Sequence, residues 1–165
     1  QLGRELGFED VVFAQGDFEA LTDIPNNTFD GLVSFSTIRY LPDPLAALRE
    51  ARRVVRPGGR VVIDFPNRYC PWFRYMKTCC GVNEHPHDRH FSERGVRSLF
   101  EDAGIEVVAS RKILFTPTVT PTTLLPAMRC VDRVAEVIPG VRETAAIIIC
   151  SGRVPKVPCA ADTGL

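Results

Sequence analysis

The sequence predicts an α/β fold in which a mostly parallel sheet is covered by helices on both faces. Two observations support this prediction. Short apolar runs alternate with segments of helical periodicity along the chain, which is the pattern of strand and helix repeats. Successive apolar runs also end in turn-forming or polar residues, at Asp17, Ser34 and Pro66. Because ligands of such sheets bind beyond the carboxyl ends of the strands, we expect the functional residues to follow these positions.

The composition is that of one globular domain. The chain has 165 residues, of which 45% are hydrophobic, and this is too short for two ordinary domains. Twenty basic residues balance twenty acidic ones, so we expect a small-molecule partner, with no binding to nucleic acid or membrane surfaces. No apolar run approaches the roughly 18 residues of a membrane helix, and no signal peptide pattern is present. We therefore expect a cytoplasmic protein, and the oligomeric state stays open.

The first half of the chain contains three predicted strands and one helix. Asp43 is predicted to cap this helix, and Pro44 suits its first position because proline needs no hydrogen-bond partner there. Pro57, Gly58 and Gly59 are predicted to end it in a tight turn. The three strands are predicted over residues 11–14, 29–35 and 60–65.

The second half is predicted to contain two more helices and two more strands. Residues 66–90 have no clean period, so we interpret them as a lid or a binding loop over one end of the sheet. Ser92 is predicted to cap a helix that ends at Gly104. Further elements are a strand over 105–109 or 105–115, a helix over 124–138, a strand over 144–150 and a disordered tail over 154–165.

Three sequence motifs together resemble a known family. They are GDFEAL at residues 16–21, FDGLVS at 29–34 and LREARRVVRPGG at 48–59. In this order and spacing they resemble the carboxyl-terminal two thirds of a class I S-adenosylmethionine-dependent methyltransferase of the small-molecule type, which has a Rossmann-like sheet. The glycine-rich turn and the first two strands of that family would lie upstream of Gln1. We therefore expect an N-terminally truncated domain over residues 1–153 that binds cofactor poorly by itself.

The resemblance also implies a cofactor site for S-adenosyl-L-methionine. Asp17 would accept a hydrogen bond from the adenine amino group, and the Phe18 amide would meet the edge of the ring. A carboxylate suits this position because it only accepts hydrogen bonds and so selects an amine over a carbonyl. The residues expected beneath the methionine part are Ser34, Phe35 and Ser36. Arg39 and Tyr40 would border the acceptor pocket.

The histidines offer a general base or a metal site. His87 and His90 are candidate catalytic bases because imidazole titrates near neutral pH, although both also fit an ordinary polar surface. Cys79 and Cys80 with the nearby histidines supply ligand types for zinc, but their spacing matches no established closed site. We therefore predict no metal. The six cysteines contain no CxxC pair, which favours free thiols.

These observations predict S-adenosylmethionine-dependent methyl transfer to a small-molecule acceptor. No catalytic triad is evident, which is consistent with in-line displacement, where alignment of donor and acceptor makes the main contribution. Two alternatives stay open. A nicotinamide-dependent Rossmann oxidoreductase shares this type of sheet, although the sequence has no convincing hydride-site signature. A noncatalytic remnant or interaction module is also compatible with the missing glycine-rich turn.

Overall fold

The computed structural model describes residues 12, 14–71, 73, 89–114, 123 and 125–156. In these residues strands and helices alternate, as the sequence predicts for an α/β fold. The strands are β1 (Phe29–Ser34), β2 (Val55–Pro66), β3 (Glu106–Ile113) and β4 (Ile147–Arg153). The helices are α1 (Pro44–Val54), α2 (Glu93–Asp102) and α3 (Leu125–Val137), with 3₁₀ helices at Ile38–Tyr40 and Val141–Thr144.

The described strands form one sheet in the order β1-β2-β4-β3. β1 and β2 are parallel, whereas β4 is antiparallel to both β2 and β3. The prediction of an α/β sheet is confirmed, but the expectation that the sheet is mostly parallel is wrong for these strands. An apolar run indicates that a strand is buried and gives no information about its direction. Here β4 runs back between β2 and β3.

The predicted N-terminal caps of α1 and α2 are confirmed by their hydrogen bonds. The Asp43 carboxylate accepts from the backbone N–H groups of Leu45 and Ala46 at 3.0 and 3.2 Å, and Ser92 caps α2 through Gly95 at 3.2 Å. Gly104 follows α2 with φ +72°, a conformation that glycine adopts without steric cost.

β2 begins at Val55, five residues before the predicted start at Arg60. Gly58, with φ +84°, lies inside this irregular part of the strand, and the register with β1 shifts between Phe29 and Gly31. Gly58 and Gly59 therefore belong to the irregular first part of β2, and they do not form the tight turn that the sequence predicts after the helix. Val154, in the predicted tail, is buried, and its backbone exchanges hydrogen bonds with Gly58 and Gly59.

One face of the sheet, called the packed face here, is covered by α1 and α2. Alternate side chains of β2 point to this face, and they are buried together with apolar residues of both helices and of β4, because successive strand residues face opposite sides. This core contains Val61, Ile63, Phe65, Leu48, Ala51, Val54, Val96, Phe100, Ile148 and Cys150. Burial raises the pKa of Cys150 to about 11, so this free thiol is inert.

A helix also lies on the opposite side of the sheet, beside the edge strand β3. Arg111 and Lys112 are consecutive in β3 and so point to opposite faces. Arg111 forms an ion pair with Glu136 of α3, whereas Lys112 forms ion pairs with Glu93 of α2, at 2.7 Å, and with Glu143. Burial by itself would lower the pKa of Lys112, but the hydrogen bonds to Glu143 and Glu93 outweigh it and raise the pKa.

Several predicted features lie outside the described residues. Of the predicted first strand, residues 11 and 13 are not described, and residues 12 and 14 are exposed and not in a strand. Most of the predicted loop at 66–90 and the tail from residue 157 onward are likewise not described. None of the helices in the described part is long and apolar enough to cross a membrane.

Candidate functional site

A cavity of about 620 Å³ lies along β1 and the preceding loop. This volume is typical of a small-molecule site, which usually has about 300–1,000 Å³. The lining combines apolar side chains with a few polar groups and includes three of the predicted cofactor-binding residues. It contains Asp17, Phe18, Leu21, Ile24, Phe29, Leu32, Val33, Ser34 and Thr37.

Asp17 lies at the rim of this cavity and is exposed. Its Oδ1 accepts a hydrogen bond from the Glu19 amide at 2.9 Å, which fixes the turn. A carboxylate has about four lone-pair sites, so it retains acceptor capacity for a ligand amine. Phe18 is half-buried and packs against the core. The adenine contact stays a prediction, and the arrangement fits it because Asp17 and Ser34 line the same cavity.

The loop that carries Asp17 is attached to α1 by polar contacts that the sequence analysis missed. Glu50 accepts a hydrogen bond from the Leu21 amide at 2.8 Å. Arg53 donates to the carbonyls of Leu21 and Ile24 at 2.7 and 2.8 Å, and it also donates to Glu50. The hydrogen bond from Arg53 lowers the pKa of Glu50. These two side chains, the Glu50–Arg53 pair, therefore determine where the loop lies.

The turn after β1 depends on a second residue that the sequence analysis missed. The Ser36 N–H donates a hydrogen bond of 2.7 Å to the Asp64 carboxylate of β2. Ser36 has φ +56°, a conformation that is sterically unfavourable for residues other than glycine. Burial raises the pKa of Asp64, although the Ser36 amide and the charge of Arg39 oppose this effect. An acidic residue inside the apolar run of residues 61–65 was the available signal.

The predicted acceptor-side residues lie together. The Arg39 guanidinium lies 5.2 Å from the Tyr40 ring centroid and 5.6 Å from that of Phe73. The Phe73 and His90 rings are 4.9 Å apart, and the Arg89 amide donates to the Arg39 carbonyl at 3.1 Å. We call Arg39, Tyr40, Phe73 and His90 the aromatic cluster. It joins two of the predicted substrate-binding residues to one of the predicted catalytic histidines.

The other predicted site residues have different surroundings. Phe35 is exposed and Ser36 lies at a small cleft that Arg39 and Asp64 also line, so neither contacts the main cavity. His87 lies outside the described residues. The side chains considered for zinc, Cys79, Cys80 and the nearby histidine His85, are outside them as well.

The carboxyl end of β2 is held by a buried amide that the sequence analysis also missed. Asn67 has no exposed surface, and its side-chain N–H groups donate to the carbonyls of Glu143 and Ala145 at 2.8 and 2.7 Å. Its Oδ1 accepts from the Tyr69 amide at 3.2 Å. Asn67 therefore connects the end of β2, where residues 66–90 begin, to the segment that leads into β4.

The chain is similar to known methyltransferases in sequence and in fold. Residues 1–63 match the methyltransferase domain family. The demethylmenaquinone methyltransferase of Anoxybacillus flavithermus is 35% identical over 82 residues, which cover 44% of this chain and 34% of that protein. The chain spans about a third of the length of this relative.

Solved structures share the fold at low sequence identity. A possible histamine N-methyltransferase of Thermotoga maritima, described as S-adenosylmethionine-dependent, matches with a TM-score of 0.66 and 22% identity, covering 92% of this chain and 68% of that one. The [4+2]-cyclase SpnF matches with a TM-score of 0.65 and 20% identity, covering 94% and 60%. At these identities the similarity shows the fold alone.

The cavity at the end of β1 has a carboxylate at its rim and apolar walls. The carboxylate can accept a hydrogen bond from the amino group of adenine, and the apolar walls suit the faces of its ring. The sequence match covers the segment that carries Asp17, Ser34 and the glycines of β2. The predicted cofactor, S-adenosyl-L-methionine, is the one named for the Thermotoga maritima methyltransferase that shares the fold. The chain is therefore similar to methyltransferases in sequence over residues 1–63 and in fold over most of its length.

Proposed function

We propose that the protein transfers a methyl group from S-adenosylmethionine to a small-molecule acceptor. The observation that carries this proposal is that Asp17 and Ser34, which come from separate segments, line one cavity at the carboxyl end of β1. In sheets of this type ligands bind at the carboxyl ends of the strands. The methyltransferase relative, which matches in sequence, supports the reaction class.

The cofactor supplies an electrophilic methyl group, so the protein contributes mainly by holding the two reactants in line. Asp17 accepts from the exocyclic amine of adenine, and this contact discriminates against a carbonyl at the same position. The apolar side chains of Leu21, Ile24 and Leu32, which line the cavity, exclude water from the faces of the ring.

The aromatic cluster forms the acceptor side in this proposal. The rings of Tyr40 and Phe73 offer flat surfaces to a planar acceptor, and Arg39 lies beside both rings and attracts electron-rich groups. His90 lies within this cluster and removes a proton from the acceptor oxygen, nitrogen or carbon. Since one relative is named as a demethylmenaquinone methyltransferase, an aromatic or quinone-like acceptor is the substrate class that we propose.

The fold by itself permits other chemistry, because a solved structure with the same fold is named as a cyclase. The sequence relative favours methyl transfer over cyclisation and over the oxidoreductase alternative.

Titration calorimetry with S-adenosylhomocysteine tests the cofactor assignment. We expect the protein, as its gene encodes it, to bind this product. D17A should weaken binding about tenfold, as expected for the loss of a hydrogen bond to a charged group. D30A is the matched control, because Asp30 is an exposed carboxylate that pairs with Arg56. Absence of binding by the unmodified protein, or equal affinity of D17A and D30A, would contradict the proposal.

A further inference from the structure

Asp64 is a carboxylate that the reaction described above does not use. It lies in β2 opposite Ile149 of β4 and is only 7% exposed. A buried carboxylate is costly unless hydrogen bonds compensate for its lost hydration. In contrast to Val61, Ile63 and Phe65, it cannot contribute to folding by apolar burial.

The hydrogen bond that compensates for the burial of Asp64 comes from the turn at Ser36, whose backbone is strained. The Ser36 amide donates to Asp64 Oδ1 at 2.7 Å, and this amide belongs to a residue with φ +56°. For a residue other than glycine this conformation is sterically unfavourable. A charge-assisted hydrogen bond is strong enough to offset this cost. The Asp64 side chain therefore selects the conformation of the turn.

The turn lies between the two ligand regions of the proposed site. Ser34 and Thr37, on either side of it, line the main cavity. Ser36 itself shares a small cleft with Asp64 and Arg39, and Arg39 belongs to the aromatic cluster. A change in the conformation of Ser36 would therefore move the cavity wall and the acceptor side together.

We infer that Asp64 is a positioning residue that holds the Ser36 turn in the conformation that receives the methionine part of the cofactor. This inference rests on the proposed function. The adenine part lies at Asp17, on a loop that α1 holds through the Glu50–Arg53 pair. Loss of Asp64 should therefore weaken contacts to the methionine part and leave contacts to the adenosine part unchanged.

Calorimetry with two ligands separates these parts. We expect D64A to bind S-adenosylhomocysteine about tenfold more weakly, as for the loss of one charge-assisted hydrogen bond, and to bind adenosine as the unmodified protein does. D64N should retain part of the affinity, because its amide oxygen still accepts from the Ser36 N–H. D102A is the matched control, since Asp102 is an exposed carboxylate at the end of α2.

A second substitution distinguishes positioning from direct contact. Glycine adopts positive φ without strain, so adding S36G to D64A should recover part of the affinity for S-adenosylhomocysteine. Adding S36A, which keeps the strain and also removes the hydroxyl group, should recover none. If D64A does not fold, the same test can be made by comparing the affinity of D64N for S-adenosylhomocysteine with that of D64N combined with S36G.

The outcomes are distinct for the inference and for the proposed function. Equal weakening of both ligands in D64A, no weakening at all, or equal rescue by S36G and S36A would overturn the positioning role. If the unmodified protein binds neither ligand, the proposed function is wrong and the inference falls with it.

Discussion

The packed face of the sheet and the loops of the candidate site are stabilised by different forces. On the packed face, the apolar side chains of β2 and β4 are fully buried against α1 and α2. At the site, the loop of Asp17 and the turn of Ser36 are exposed for much of their length and are held by side-chain hydrogen bonds from Glu50, Arg53 and Asp64. Packing thus stabilises the sheet, and polar contacts determine the geometry of the loops.

This difference has a practical consequence for substitutions. Packed interiors respond to a change of even one methylene group, so substitutions on the packed face should lower the free energy of unfolding. Polar contacts on partly exposed loops contribute little to global stability but fix local geometry. Substitutions at the loops should therefore impair cofactor binding more than folding.

The largest expected effect is at Gly152, in the centre of the sheet between β2 and β3. A Cβ atom at this position would overlap Ile105 Cγ2 and would lie 2.8 Å from Phe100 Cδ1. Ile105 and Phe100 are fully buried and cannot move away. We expect G152V to lower the free energy of unfolding by about 3 kcal/mol or more, or to prevent folding, as measured by urea denaturation.

G16A is the matched control for this prediction. A Cβ atom at Gly16 would lie 3.8 Å from Leu21 Cδ2, an ordinary contact, so its stability should stay close to that of the unmodified protein. A stable G152V variant would show that the packed face is less rigid than its contacts indicate. It would contradict the conclusion that packing stabilises the sheet more than the loops of the site.

The sequence predicted the local structure of the packed face well. Asp43 and Ser92 cap their helices as predicted, because capping depends on residues that are close in the chain. Strand direction was predicted less well, since β4 pairs antiparallel with two strands that are distant in sequence. Its apolar composition indicates burial and is the same for either direction.

At the site, the sequence suggested candidate residues for ligand contact, and it missed the residues that hold the loops of the site in place. The predicted residues Asp17 and Ser34 line one cavity, although no described strand precedes Asp17. Glu50 and Arg53 were part of a motif but their contacts to a loop about 30 residues earlier depend on the tertiary fold. Charged residues on a helix usually face solvent, so no local pattern indicated these contacts.

A smaller effect is expected from breaking the Glu50–Arg53 pair. R53A removes donors to the Leu21 and Ile24 carbonyls and so releases the loop of Asp17 from α1. We expect affinity for S-adenosylhomocysteine to fall about tenfold, with a much smaller change in unfolding temperature than for G152V. R49A is the matched control, because Arg49 is an exposed arginine of the same helix. Unchanged affinity in R53A would contradict the role of the pair.

The smallest expected effect is a pH dependence of the stability that the Glu50–Arg53 pair gives to the loop of Asp17. The apolar contacts of the packed face have no such dependence. The hydrogen bond from Arg53 lowers the pKa of Glu50 below 4.5, although burial opposes it. A carboxyl group whose pKa is lower in the folded state contributes stability above its unfolded pKa and loses this contribution as pH falls through the folded pKa.

The difference in unfolding temperature between the unmodified protein and E50Q should therefore be constant above about pH 5 and shrink below pH 4.5. Thermal denaturation from pH 3.5 to 7 measures this difference, and E106Q, at an exposed position of β3, is the control for the removal of a carboxylate. A difference that grows on acidification would mean that neutral Glu50 stabilises the loop. It would contradict the conclusion that the ionised carboxylate, paired with Arg53, holds the loop in place.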